Sequence, residues 1–424
     1  IVGGVFLSGR WGKSSAGHAA KTYADISPFN HFYFYYLNNY LGVYQTGKDI
    51  RLYDQKELIL SEQVARFGAA KKANAKIAGD NSLYQSLDSL ISVGSSAFVF
   101  AFIGLKALSG VISLGEIVRF TGSINRFIDG FARIMRNVGW ARANTPRLQT
   151  YLDFLALPEA ENSGTLDVPR TGLEFEFRNV SFMYPGTDAY VLHGLNFKVK
   201  PGEKLAVVGV NGSGKTTMVK LLCRLYNPSE GAILLNGVDV REYKFEQYIR
   251  LFSVVFQDYA LYSATLAQNV AAADEPDMER AKQALIKAGF GERLTSLEKG
   301  LDTQLYRTFD PEGIEVSGGE AQKIALARAL YKDAPFVVLD EPTAALDPIA
   351  EFDIYSRFND MTGGKSAIYI SHRLSSCRFC DEVAVFDEGR IIQKGTHDAL
   401  ISEGGKYAQL WNAQAQYYAE KRDG

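Results

Sequence analysis

The sequence predicts a chain of two unlike parts: a long-helical first part of membrane type, then an α/β domain built on a parallel sheet. Three observations carry this. Ser89–Leu105 (SLISVGSSAFVFAFIGL) is apolar and uncharged from end to end. Pro158–Thr165 (PEAENSGT) is polar and contains Pro and Gly, so it reads as a linker where the composition changes. After it, short apolar runs such as Lys204–Val208 and Phe336–Leu339 alternate with helical patterns, as parallel strands and their crossovers do.

The apolar stretch is slightly short of the roughly 20 residues that a spanning helix needs, but Lys106 can snorkel and extend it. Its small residues Gly94, Ser95, Ser96 and Ala97 suit close helix packing in lipid. A buried helix of a soluble protein would look similar. The next helix is expected over about Leu114 to Met135. It carries Glu116, Arg119, Asn125, Arg126, Asp129 and Arg133, so its first turns are placed in lipid and the rest in water. Phe29–Tyr40 (FNHFYFYYLNNY) is dense in aromatics and free of acidic and basic side chains other than His31. It suits docking on an apolar surface or an interfacial aromatic belt.

The 424 residues allow two or three domains, and 46% hydrophobic with 22% charged residues supports a packed core. A formal net charge of −2 gives no support for a nucleic-acid partner. Cys223, Cys377 and Cys380 are too few for a disulfide framework and fit a reducing compartment. Cys377 and Cys380 form a lone CxxC without a second ligand pair, read as two small half-buried residues on a helix. Ile1–Ser8 is apolar but too short to span a bilayer. It reads as the tail of a longer helix, and further N-terminal sequence is expected before it.

The chemistry is concentrated in the second part. The run Lys204–Val208 feeds into Gly209-Val-Asn-Gly-Ser-Gly214-Lys215-Thr216-Thr217, and Met218–Leu225 reads as a helix. Strand, glycine loop and helix together make a phosphate cradle. Backbone N–H groups across Asn211, Gly212, Ser213 and Gly214 curl round phosphate oxygens, and the helix N-terminus adds its positive end. Lys215 supplies a point charge between the β- and γ-phosphates, and Thr216 offers a hydroxyl to Mg²⁺, with Thr217 beside it. Phe336–Leu339 ends in Asp340 and Glu341. Asp340 is the expected Mg²⁺ holder, and Glu341 is placed to polarise an attacking water as general base.

These elements occur in many nucleotide hydrolases. Val316-Ser-Gly-Gly-Glu320 is more specific, and here the second half resembles the ATP-binding-cassette (ABC) family. The resemblance continues in the family's order. Tyr184 stands where the family places an adenine-stacking aromatic. Gln257 matches the glutamine that senses Mg²⁺ and the membrane domain. Ala344–Asp347 matches the D-loop, and His372 matches the switch histidine that contacts the γ-phosphate. Ser317 and Gly319 keep the groups that face a γ-phosphate. The signature departs from the usual Leu-Ser-Gly-Gly-Gln at Val316 and Glu320, and Lys323 stands where arginine is frequent. A carboxylate at Glu320, near a polyanion, is expected to weaken that half-site.

The first half resembles, more loosely, the membrane domain of exporter-type half-transporters. Gly47–Tyr53 resembles the segment after the second cytoplasmic coupling helix, which makes Phe29–Tyr40 the coupling region. Ser113–Ile117 resembles the start of the last transmembrane helix. The resemblance implies a helical transmembrane part over 1–157, a linker over 158–172 and a cassette over 173–424. The cassette is an α/β P-loop fold with an antiparallel β subdomain and a helical subdomain. It further implies ATP and Mg²⁺ as cofactors and ATP-driven export of an undefined solute. The partner is a second half-transporter, a copy or a related chain, with the altered signature favouring a related one. The implied setting is a bacterial plasma membrane, with lipid around the helices and the cassette in the cytoplasm. A soluble cassette ATPase and an importer using the same fold are the alternatives.

Overall fold

The computed structural model describes residues 31–42, 46–157, 164–341, 363–371 and 374–420. Ile1–Ser8, Phe29, residues 158–163, the Ala344–Asp347 segment and His372 lie outside the described residues. The chain divides into two units between Pro158 and Glu159.

In the first unit, helical residues 31–36 run into a π-turn over Leu37–Leu41. The rings of Tyr36 and Tyr40 stack at 5.3 Å, while Tyr33, Phe34 and Tyr35 are exposed. Three helices follow: α1 (Gly47–Leu52), α2 (Lys56–Leu108) and α3 (Leu114–Leu155). With 53 residues, α2 is a rod of about 80 Å. Its Asn74–Leu108 stretch is long and apolar enough to cross a membrane, and it contains the expected Ser89–Leu105 segment. Only 11% of its apolar window is buried within the chain. The core helix of a soluble protein would be mostly covered.

A tight turn with Gly110 in the left-handed region joins α2 to α3. The helix start is closed by Glu116, whose carboxylate accepts from the Ser113 N–H at 2.7 Å. Val99, Ile103 and Ile128 form the buried seam, and the Ser96 hydroxyl donates to Asn125 Oδ1 at 3.3 Å. Arg119, Arg126, Asp129 and Arg133 are exposed. The helix continues well past Met135, where the sequence had suggested its end. Charge tells where a helix leaves lipid, not where its hydrogen bonds stop.

The second unit begins with the strands β1 (Phe175–Met183), β2 (Tyr190–Val199) and β3 (Lys204–Gly209), then α4 (Lys215–Leu222). β4 (Glu230–Leu235), β5 (Val238–Asp239), α5 (Phe245–Ile249) and β6 (Phe252–Val255) follow. A run of helices comes next: α6 (Leu266–Ala271), α7 (Met278–Lys287), α8 (Gly291–Thr295) and α9 (Gly318–Lys332). The chain returns through β7 (Phe336–Asp340), β8 (Ser366–Ile370), β9 (Glu382–Asp387) and β10 (Arg390–Gly395) to α10 (His397–Glu403) and α11 (Gly405–Glu420).

Two sheets result. One is antiparallel, in the order β2-β1-β4-β5. The other has the order β10-β9-β3-β8-β7-β6 and is parallel apart from the β9–β10 hairpin. Every residue of β7 and β8 is buried, which explains their largely apolar sequence, broken only by Ser366 and Asp340 at strand ends. Phe175, Phe252 and Phe336 meet between the sheets with ring centroids 5.0 to 5.5 Å apart. A separate cluster joins Leu266, Val270, Leu285, Ile324 and Leu326 into a helical layer beside β6 and β7. On the other flank, Cys377 is fully buried with Val383, Val385 and Tyr407. Cys377 sits in a 3₁₀ turn, Leu374–Phe379, rather than on an α-helix. The later part of the linker stretch is pinned down: the Leu166 N–H donates to the Glu242 carbonyl, and Lys244 pairs with Asp167.

Candidate nucleotide-binding site

Strand register places the site. Val207 of β3 and Asp340 of β7 both pair with Ile370 of β8, one from each side. Their backbones therefore stand about 10 Å apart, two strand spacings. The glycine loop leaves the carboxyl end of β3, and Asp340 ends β7, so both face the crevice where open parallel sheets bind ligands.

The loop folds as its glycines require. Gly214 caps α4 with φ 98°, and a Cβ there would press on Leu192 Cδ2 and approach the Val191 carbonyl to 3.2 Å. A Cβ at Gly209 would collide with the Phe386 carbonyl. Gly214, the cap residue of α4, has no side chain to close the first turn, which leaves its N–H groups suited to a ligand. Lys215 is 95% buried, and its ammonium donates to the carbonyls of Gly209 and Val210, each at 3.0 Å. Burial pulls its pKa down, with Glu341 and Asp340 opposing. Ser213 Oγ is buried and has no hydrogen-bond partner among the described residues.

Asp340 is fully buried, and neither carboxylate oxygen has a hydrogen-bond partner among the described residues. Burial pushes its pKa up to about 6. The Thr216 hydroxyl beside it, outside hydrogen-bonding geometry, and the Lys215 ammonium restrain the rise, while Glu341 and Asp258 add to it. An orphaned buried carboxylate next to a hydroxyl is an oxygen donor set that suits Mg²⁺. Glu341 has φ 50°, unusual for a residue with a side chain, and its N–H is tied to the Ile370 carbonyl at 3.0 Å. Such a conformation costs about 1–3 kcal/mol and persists where the surroundings fix it.

A cleft of about 350 Å³ brings the pieces together. Asn211, Gly212, Gly214, Lys215, Thr216, Thr217, Gln257 and Glu341 line it, together with Val191. Tyr184 stands at its margin, with its hydroxyl 3.0 Å from Thr217 Oγ1 and its ring edge-on to Tyr226 at 5.3 Å. Ser317 and Gly319 do not line this cleft. A larger, mainly apolar cavity of about 530 Å³, bordered by Cys223, Ile249, Phe252 and Tyr331, contains none of the glycine loop and is not the phosphate site.

Ser317 caps α9. Its N–H and hydroxyl donate to Glu320 Oε2 at 2.8 and 2.9 Å, and its Oγ accepts from the Glu320 N–H at 3.3 Å. Arg293 Nε lies 2.9 Å from Glu320 Oε1. Partial burial raises the Glu320 pKa, but the Ser317 donors, Arg293 and Lys323 outweigh it and hold the carboxyl below its ordinary range. Tyr259, two residues after Gln257, donates to the Gly318 carbonyl at 3.3 Å and links the two loops. Sequence reasoning missed Val191, Tyr226, Tyr259 and Arg293. A valine, two tyrosines and an arginine carry no local signature, and only the fold brings them near.

Comparison with known proteins gives a consistent result. Residues 192–344 match the family model described as ABC transporter. The chain is 40% identical over 246 residues to the ATP-dependent lipid A-core flippase of Burkholderia orbicola, covering 58% of this chain and 41% of that protein. It is 32% identical over 370 residues to the subtilin transport ATP-binding protein SpaT of Bacillus subtilis, covering 86% and 60%. Among solved structures, a bacterial Atm1-family ABC exporter with ATP bound superposes with a TM-score of 0.81 at 25% identity, over 97% of this chain and 72% of that one. The chain thus spans about half the length of the curated relatives it matches.

Proposed function

Through its second half this chain belongs to the ABC transporter family, and from that premise we propose that it is one half of a dimeric exporter that hydrolyses ATP to move a solute across a membrane. The observation that carries the chemistry is the buried Asp340, without a hydrogen-bond partner among the described residues, beside Thr216 and Lys215, with Glu341 one residue on in the same cleft.

In this reading the loop N–H groups and the start of α4 bind the phosphates. The Lys215 ammonium exchanges the Gly209 and Val210 carbonyls for phosphate oxygens. Thr216, Gln257 and Asp340 would hold Mg²⁺, which when bound would neutralise charge on the phosphoryl oxygens. Glu341 takes the proton of the attacking water. His372, carried over from the family pattern, contacts the γ-phosphate. Tyr184 stacks on adenine, its ring braced by Thr217 and Tyr226. Ser317 and Gly319 serve the ATP held by a partner cassette, consistent with their position away from this chain's own cleft. The altered signature favours an unlike partner; the Arg293–Glu320 pair balances one part of that alteration, the Glu320 charge.

The poorly covered apolar stretch of α2 supports a membrane setting, and the bacterial relatives suggest a bacterial plasma membrane. One relative is named for flipping lipid A-core and another for subtilin transport. We take a lipid-class cargo as the reading to test. The full-length protein, reconstituted in vesicles with a labelled lipid, should move it between leaflets only with ATP. Recovery of active protein in the soluble fraction without detergent would overturn the membrane part.

A further inference from the structure

We propose that Arg293 is a positioning residue of the signature half-site: it neutralises Glu320 and so keeps the Ser317 hydroxyl available to a phosphate. This rests on the reading of Ser317 given above.

The geometry divides the work of one carboxylate. Glu320 Oε2 closes the start of α9 by accepting from the Ser317 N–H and hydroxyl. Glu320 Oε1 faces Arg293 Nε, carried by the short helix α8. The Ser317 hydroxyl has one proton, and in this arrangement Glu320 holds it. A phosphate oxygen arriving at Ser317 must take that proton over, in competition with a carboxylate of its own charge sign. Arg293 draws charge away from that carboxylate and cancels its repulsion of the incoming polyanion.

The pair is not there chiefly for stability. The Arg293 and Glu320 side chains are 42% and 25% exposed, and exposed pairs of this kind contribute about 0–1 kcal/mol. Glu320 already favours the helix N-terminus through the capping box and the helix dipole. Arg293 adds nothing that the helix lacks. It matters to what approaches the helix.

The test is a variant cycle on the full-length assembled protein, reading ATP turnover against ATP concentration. Arg293→Gln should raise the half-saturating ATP concentration roughly fivefold and leave maximal turnover within about twofold. The effect should shrink as salt is raised, because the interaction is screened. Glu320→Gln keeps an amide that can cap, removes the charge, and should lower half-saturation. The double variant should return close to the parent, and Arg293→Lys should retain most of the parental value. A double variant as impaired as Arg293→Gln alone overturns the proposal, as does an Arg293→Gln protein that matches the parent at low salt. Failure of the wider ATPase reading appears separately, as absent turnover in the parent protein.

Discussion

The two helices of the second unit that we propose to meet phosphate, α4 and α9, begin in opposite ways. At the start of α4 the sequence supplies glycines and a lysine, and no side chain caps the first turn. At the start of α9 it supplies Ser317 and Glu320, which satisfy each other. The first is an open socket whose polar groups are incomplete without a ligand: Ser213 and Asp340 have no partners among the described residues. The second is closed on itself and must exchange an internal bond for an external one. In the proposed function the open socket takes this chain's own nucleotide, and the closed one engages only when another surface brings a phosphate to it, as a site shared between two chains would require.

That contrast can be broken from its stronger side first. Lys215→Ala removes the cation that is buried in the open socket among the described residues. Turnover should fall by about two to three orders of magnitude, while the melting temperature without nucleotide falls by only a few degrees, because the two carbonyl hydrogen bonds lost are partly offset by the relief of a buried charge.

Next is the orphaned carboxylate. The folded-state pKa of Asp340 is raised from its ordinary 3.8 to about 6. Its contribution is therefore complete below pH ~4 and is lost as the pH rises through about 6. The loss is about 3 kcal/mol at most. The nucleotide-free Asp340→Asn protein should lack this decline and be more stable than the parent at pH 7. With Mg²⁺ and nucleotide the order should reverse, because the parent alone gains the ligand's stabilisation. Melting temperatures across this pH range, with and without ligand, decide it.

The smallest effect belongs to the closed socket. Ser317→Ala removes a helix cap and should cost about 1 kcal/mol, a fall of roughly 2–4 °C in melting temperature. It should leave binding of nucleotide to the chain's own cleft unchanged. A loss of that binding would mean that Ser317 serves this chain's cleft after all.

The open socket was legible in the sequence because its parts are contiguous. Gly209–Thr217 and Phe336–Glu341 each carry strand, turn and chemistry within a few residues. The closed socket was half legible. Ser317 and Glu320 lie three residues apart, which is capping-box spacing, yet Glu320 was read as an unbalanced charge. Its counter-ion Arg293 is remote in sequence, and only the fold brings it to Glu320. The first unit shows the same limit. The apolar segment of α2 was visible in composition, but the length of α3 was not, because charge gave no sign of where the helix ends.

The central claim is that Glu341 removes the proton of the attacking water in a cleft that binds ATP without its help. The most direct measurement compares ATP binding and ATP turnover in Glu341→Gln with those of the parent, in the full-length assembled protein. The account predicts that binding is retained and turnover falls about a hundredfold or more. Near-normal turnover in that variant would contradict it.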